Sequence, residues 1–210
     1  MLYKETVSPA ALELLNKLMA IPELNEFALV GGTNLALRFG HRISVDIDLF
    51  TNQPFNVLKV KQAITDHFPE AKRLDEMKQT IWYQINGIKT DIILHQYPYL
   101  KPIDEIEGIR LLSLPDIIPM KLGAVTGRGA KKDFWDIAYL LNSYTIKEML
   151  TFYQQKYISD DIGFVIRSLV YFEDAEFQDD PVSLTNITWK AVKSKIESAV
   201  KMYMKNQIAE

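Results

Sequence analysis

The chain has 210 residues, 48% of them hydrophobic and 24% charged, with no cysteine and a formal net charge of −3 at pH 7. This is the composition of a globular protein of one domain or two small lobes. It excludes disulfides and cysteine-ligated zinc, and it leaves any nucleotide or nucleic-acid binding to a local basic patch. No apolar run approaches the ~18 residues of a membrane span, and no basic segment precedes an apolar stretch at the N-terminus, so the expected location is the cytoplasm.

In chain order, residues 8–20 read as a helix: Ser8 can cap it, Pro9 suits its first turn, and Leu12, Leu15, Leu18 and Met19 form an apolar stripe. The next stretch, FALVGGTNLALRFGHRISVDIDLF over residues 27–50, holds the densest set of signals in the chain. Residues 27–30 read as a short strand, and Gly31-Gly32 comes at once after it. TNLALRF reads as a brief helix that packs through Leu35, Ala36, Leu37 and Phe39 and ends at Gly40. Residues 45–50 alternate apolar and acidic side chains as a second strand. Its period of two puts Asp46 and Asp48 on one face and Val45, Ile47 and Leu49 on the other, toward a core.

Two neighbouring carboxylates repel unless a cation lies between them, and Mg²⁺ favours carboxylate oxygens combined with substrate phosphates. D-x-D alone is common on solvated surfaces. Its context here adds weight, because glycines let a phosphate approach the backbone N–H groups of a helix start. The pattern resembles the DNA polymerase β-like nucleotidyltransferases, whose signature is a Gly-Gly or Gly-Ser turn followed by an acidic-x-acidic strand. More closely, GGTNLAL…GHRISVDIDLF is similar to the AbiEii/AbiGii-type nucleotidyltransferases, the toxin class of abortive-infection and toxin–antitoxin systems.

That resemblance implies an α+β protein. A nucleotidyltransferase-like, mixed-sheet N-terminal lobe (residues 1–100) would be followed by a helical C-terminal lobe (residues 101–210) closing a nucleotide cleft. It implies that Asp46 and Asp48 bind Mg²⁺ or Mn²⁺ and that Gly31, Gly32 and Thr33 hold the triphosphate. His41, Arg42 and Ser44 match the family pattern and are expected at nucleotide phosphates or base. Arg38 reads equally well as a surface charge. No second histidine stands at helical spacing from His41, so His41 is not expected to ligate a metal.

Residues 55–68 read as a helix with Val57, Val60, Ile64 and Phe68 inward and Lys59 and Lys61 solvated. Residues 79–86 and 88–95 read as strands joined at Asn86-Gly87, a strong hairpin signal. Asp91 lies inside the second strand, either as an edge acid facing water or, by the resemblance, as the third metal carboxylate and acceptor of the attacking hydroxyl's proton. Residues 97–109 read as the connection between lobes.

A helix then opens with Ser113 as a plausible cap and Pro115 in its first turn, packing Ile117, Met120, Ala124 and Val125 inward. Gly127 and Gly129 are expected to break it before Arg128. The following helix offers Phe134, Ile137, Ala138 and Leu141 to the core. Here Lys121, Thr126, Arg128, Asp133 and Asp136 match later motifs of the family, whose likeness covers residues 27–141. The implied roles are Lys121 as a catalytic cation at the pyrophosphate, Thr126 and Arg128 as nucleotide-binding, and Asp133 and Asp136 in support. Asp133 reads equally as a helix cap, and Asp136 as a partner fixing Lys121 or Arg128. The Gly127–Lys132 stretch lacks P-loop spacing.

Residues 145–157 and 160–172 read as amphipathic helices, the second with Ile162, Val165, Ile166, Leu169 and Val170 inward. EDAEFQDDP reads as a solvated acidic loop, and a lysine-bearing helix ends the chain. The resemblance implies a metal-dependent transfer of NMP from an NTP to an acceptor hydroxyl, on an RNA (tRNA) 3′ end, a protein or a small molecule. A separate antitoxin is the implied partner. Two rival readings remain open: a D-x-D phosphohydrolase, for which Phe50 stands where Thr or Val is expected, and a non-catalytic nucleotide- or partner-binding module.

Overall fold

In this computed structural model the chain divides into two units, Met1–Ser113 and Leu114–Glu210, and residues 1–159 and 161–209 are described. The first unit is built on a seven-stranded mixed sheet of order β3-β4-β5-β2-β1-β7-β6. Its strands are β1 (Ala28–Leu29), β2 (Ile47–Thr51), β3 (Lys72–Met77), β4 (Thr80–Ile85), β5 (Ile88–Leu94), β6 (Asp104–Ile106) and β7 (Ile109–Leu111). β2 pairs with β5 and β1 with β7 in parallel, and the remaining pairs are antiparallel.

Helices α1 (Pro9–Met19) and α3 (Val57–His67) bury their apolar stripes with one set of alternating strand residues, among them Leu14, Leu18, Val60, Ile64, Ile47, Leu49, Ile81, Tyr83 and Ile92. Removing that apolar surface from water is the main force holding the unit together. Both helices start as their sequences dictate: Ser8 Oγ accepts from Ala11 N at 3.1 Å, and the Asn56 side chain accepts from Lys59 N at 3.1 Å. Asn86 and Gly87 both take positive φ (52° and 81°), which the tight β4–β5 turn requires.

Helix α2 (Gly31–Phe39) is pinned against the strand ends by polar bonds. Asn34 Nδ2 donates to Leu29 O (2.8 Å) and Leu112 O (3.0 Å), and Arg38 Nε donates to Asn34 Oδ1 (2.9 Å). Arg38 also reaches Asp104 at 2.7 Å, so it is a tie between elements and not a loose surface charge. Arg110 of β7 donates to the carbonyls of Met19, Leu24 and Phe27 at 2.9–3.0 Å, fixing the approach to β1.

Several expectations change. Val45 is exposed rather than in the core, because the strand begins only at Ile47. Its neighbour Asp46 gives its carbonyl to the Thr33 hydroxyl instead of to a neighbouring strand. β3 was not foreseen, since every residue of KRLDEM is exposed and no alternation marks it. Residues 97–109 are not simply a connection, because β6 and β7 extend the sheet, and the division falls after Ser113 rather than at residue 100.

The second unit is helical: α4 (Leu114–Gly127), α5 (Lys131–Leu140), α6 (Ile146–Tyr157), α7 (Gly163–Leu169), α8 (Glu173–Glu176) and α9 (Trp189–Ala209). Its core gathers Ile117, Leu122, Phe134, Ile137, Met149, Val165, Leu169, Val192 and Ile196, all buried. Trp135 stacks on Trp189 with ring centroids 5.7 Å apart. α4 continues through Gly127, so Arg128 comes just after its last residue. α6 opens with a reciprocal capping box between Thr145 and Glu148.

The helix expected over residues 160–172 is described only as Gly163–Leu169, Asp160 lying outside the described residues, and Val170 is exposed. The acidic segment expected to be a solvated loop contains α8 and is tied down. Glu176 accepts from Trp189 Nε1 (3.0 Å) and pairs with Lys193 (2.9 Å), and Asp180 pairs with the buried Lys131 (3.0 Å). Among the described residues no helix is long and apolar enough to cross a membrane.

Candidate active site

The face of the first unit's sheet opposite its core carries the expected acidic residues of β2 and β5. Parallel pairing of β2 with β5 sets Asp48 directly beside Asp91. Strand alternation adds Lys89 to the same face, two residues before Asp91. Lys89 Nζ donates to Asp91 Oδ2 at 2.7 Å, with the lysine side chain 50% exposed and the aspartate's only 9%. Asp91 Oδ1 is buried and has no hydrogen-bond partner. Partial burial works to lower the Lys89 pKa. The hydrogen bond to Asp91 and the negative charges of Asp91, Asp48 and Asp46 outweigh it and leave that pKa raised.

The Gly-Gly turn is explained from inside the site. Gly31 has φ +70°, and a Cβ built there would collide with Asp48 Oδ2. A Cβ on Gly32 would collide with the Arg42 guanidinium. The two glycines therefore let a carboxylate and a guanidinium close onto the start of α2. No side chain caps that start, so the N–H groups of its first turn point outward from the positive end of the helix dipole.

Thr33 is buried, its hydroxyl donating to Asp46 O and lying 2.8 Å from Ser44 Oγ, which ties α2 to the approach of β2. Arg42 is likewise buried, and its Nη1 donates to Ile43 O at 3.0 Å. Gly31, Gly32, Thr33, Arg42, Ser44, Asp46, Asp48 and Asp91 thus all belong to the first unit and are linked through α2, β2 and β5. His41 is buried near them in sequence, with its ring 6.4 Å from that of Phe39.

Asp46, Asp48 and Asp91 are the carboxylates expected to offer oxygens to a divalent ion, and Asp91 Oδ1 is buried without a hydrogen-bond partner. Among the described residues, however, no three acidic or imidazole side chains converge closely enough to hold a metal as they stand. Lys89, rather than a third carboxylate, is the group drawn to Asp91. Its significance was not read from the sequence. The available signal was its i−2 spacing from Asp91, which alternation places on the same face.

The second unit holds the remaining expected residues. Lys121 is buried and pairs with Asp136 (2.7 Å) and Asp133 (3.2 Å), both carboxylates being fully enclosed. Arg128, 58% exposed, forms a fork onto Asp133 through Nε (2.8 Å) and Nη2 (2.9 Å). Burial pushes the Asp133 carboxyl up, but its hydrogen bond from Arg128 and the charges of Lys121 and Arg128 prevail, so its pKa is lowered. Asp133 is not the helix cap, since Ala130 holds that position. Thr126 turns its hydroxyl back to Gly123 O at 2.9 Å.

Residues 13–205 match the family described as "Nucleotidyl transferase AbiEii toxin, Type IV TA system". A relative from Aquifex aeolicus, the uncharacterized protein aq_aa25, is 33% identical over 200 residues, covering 92% of this chain and 96% of that one. Among solved structures, JHP933 from Helicobacter pylori is similar with a TM-score of 0.57 and 18% identity, over 97% of this chain and 100% of that chain. MenT4, the nucleotidyltransferase toxin Rv2826c from Mycobacterium tuberculosis, is similar with a TM-score of 0.54 and 11% identity, over 89% and 82% of the two chains. At these identities the two structures show a shared fold.

Proposed function

This chain belongs to the AbiEii nucleotidyltransferase toxin family, and on that footing we propose that the open face of the first unit's sheet transfers NMP from an NTP to an acceptor hydroxyl. The observation that carries this reading is Asp91: a nearly buried carboxylate in register with Asp48, one oxygen salt-bridged to Lys89 and the other without a partner. Left empty, such an oxygen is costly. As a ligand or proton acceptor it has a use.

Asp46, Asp48 and Asp91 would hold Mg²⁺ or Mn²⁺, which when bound would supply Lewis-acid stabilisation of charge on the phosphates. The uncapped first turn of α2, from Gly31 through Thr33, would grip the triphosphate through backbone N–H groups. In the reaction the acceptor oxygen bonds to the α-phosphorus as the bond to the bridging oxygen of the β-phosphate breaks. Pyrophosphate leaves, and the hydroxyl proton passes to the Asp91 carboxylate.

Arg42, packed behind Gly32, would hold that turn in shape and add positive potential beneath it, with the Ser44 hydroxyl bracing Thr33. Within the second unit, Arg128 has the exposure to meet a phosphate. Lys121, enclosed by Asp133 and Asp136, acts as a positioning residue. The acceptor is proposed to be an RNA 3′ end, tRNA foremost, and the partner a separately encoded antitoxin, in keeping with a toxin family of type IV systems. The hydrolase alternative assigns no work to the Gly-Gly turn that seats Asp48 or to Asp91 beside it.

The test is incorporation of α-labelled NTPs into total RNA with Mn²⁺ or Mg²⁺, alongside melting temperature with each NTP. Wild type is expected to label RNA and to gain a metal-dependent thermal shift. Asp48→Asn and Asp91→Asn should lose labelling by about a thousandfold or more, the scale of losing a charge-stabilising group at the reacting centre. Binding without transfer to RNA or protein would instead favour the non-catalytic module, and no binding of any NTP would sink the reading.

A further inference from the structure

We propose that the Lys89 ammonium is a counter-ion of Asp91 that competes with a divalent cation for this carboxylate and gives way when the cation binds. This rests on the assignment of Asp46, Asp48 and Asp91 as the metal-binding carboxylates. It adds a residue to that site which competes with the metal instead of ligating it.

Two features of the Lys89–Asp91 pair carry it. Lys89 Nζ lies 2.7 Å from Asp91 Oδ2, so the oxygen a metal would need on that side is already engaged by a cation. The two partners also differ in freedom. Asp91 is nearly enclosed on β5, whereas half of the Lys89 side chain faces solvent.

Only the lysine can leave the pair at small cost, because its flexible four-carbon stem can carry the ammonium into water. Asp91 cannot accompany it, and once the lysine departs, its carboxylate must find another cation or stand buried and uncompensated. An ammonium and a divalent ion competing for the same carboxylate repel strongly at such separations. Metal binding therefore includes the displacement of Lys89.

The experiment compares Mn²⁺ binding, measured by the EPR signal of the free ion, with melting temperature in chelator for wild type, Lys89→Met, Lys89→Arg and Asp91→Asn. Lys89→Met keeps the apolar stem and removes the charge. It should bind Mn²⁺ about tenfold more tightly than wild type, within the usual range of coupling between two ligands. It should also melt lower in chelator and regain stability on adding Mn²⁺. Lys89→Arg, which keeps the charge, should bind Mn²⁺ close to wild type.

Unchanged or weaker Mn²⁺ binding by Lys89→Met, with wild type binding normally, would overturn the proposal and leave the metal site standing. Weaker NTP binding by Lys89→Met without tighter Mn²⁺ binding would instead make Lys89 a substrate contact, and would overturn it equally. Absence of Mn²⁺ binding in wild type and all variants would remove the metal reading itself, and this proposal with it.

Discussion

In the first unit Asp91 gives one carboxylate oxygen to Lys89, whose side chain is half exposed. In the second, Asp133 and Asp136 share Lys121 and Arg128, with both carboxylates fully enclosed. One oxygen of Asp91 has no partner, while both oxygens of Asp133 are bonded. A cluster with an unmet acceptor beside a half-exposed lysine is equipped to take up a cation from outside. A balanced and buried cluster is equipped to hold helices in place.

The largest difference should appear when each cluster loses one charge. Lys121→Met removes the cation shared by two buried carboxylates, and breaking such a network costs about 3–5 kcal/mol. Asp48→Asn relieves repulsion and should leave stability unchanged or raise it. Chemical denaturation monitored by the emission of the Trp135–Trp189 stack, in a Trp82→Phe background, reports the second unit for the Lys121 variant. Far-UV circular dichroism and thermal melting serve for Asp48→Asn. Equal destabilisation by the two substitutions would erase the distinction and make the first cluster structural as well.

A smaller effect, confined to the first unit, is expected from Gly31→Ala. A left-handed backbone costs a residue with a Cβ roughly 1–2 kcal/mol, and the new methyl would push on the Asp48 carboxylate. The variant should lose stability by about that amount and also lose Mn²⁺-dependent stabilisation, because Asp48 must move. Loss of stability with intact metal response would show that Gly31 serves the turn alone.

Much of the first site was legible because its signals are local. Gly31-Gly32, the D-x-D run and the Asn86-Gly87 hairpin each declare themselves within a few residues, and the β-pattern around Asp91 suggested its strand. What could not be read depended on which segments meet. Lys89 looks like any exposed strand lysine until β5 is known to lie beside β2. Arg42 was expected at the nucleotide from its motif, but that its guanidinium lies against Gly32, ten positions earlier in the chain, depends on the fold.

Short strands were lost for a different reason. Three residues each in β6 and β7 give too little alternation to count, although Glu107-Gly108, with φ of 52° and 78°, is a tight turn whose glycine was visible. In the second unit the spacing of Asp133 and Asp136 suggested a shared face. That the face is buried, and that Lys121 comes to it, is a property of how α4 packs on α5.

The finest test of the contrast is pH. The Asp133 carboxyl titrates below its ordinary value of 3.8 in the folded protein. Its ionised form is favoured by folding, so its contribution is fully present above that ordinary value and is lost as pH falls through the lower, folded one. The Trp135–Trp189 signal should therefore show a denaturation midpoint that is flat near neutrality and declines below about pH 4. Asp133→Asn should already be destabilised at neutral pH, because Lys121 and Arg128 lose a charged partner, and its midpoint should fall less steeply in acid. A variant as acid-sensitive as wild type would remove Asp133 as the source of that sensitivity.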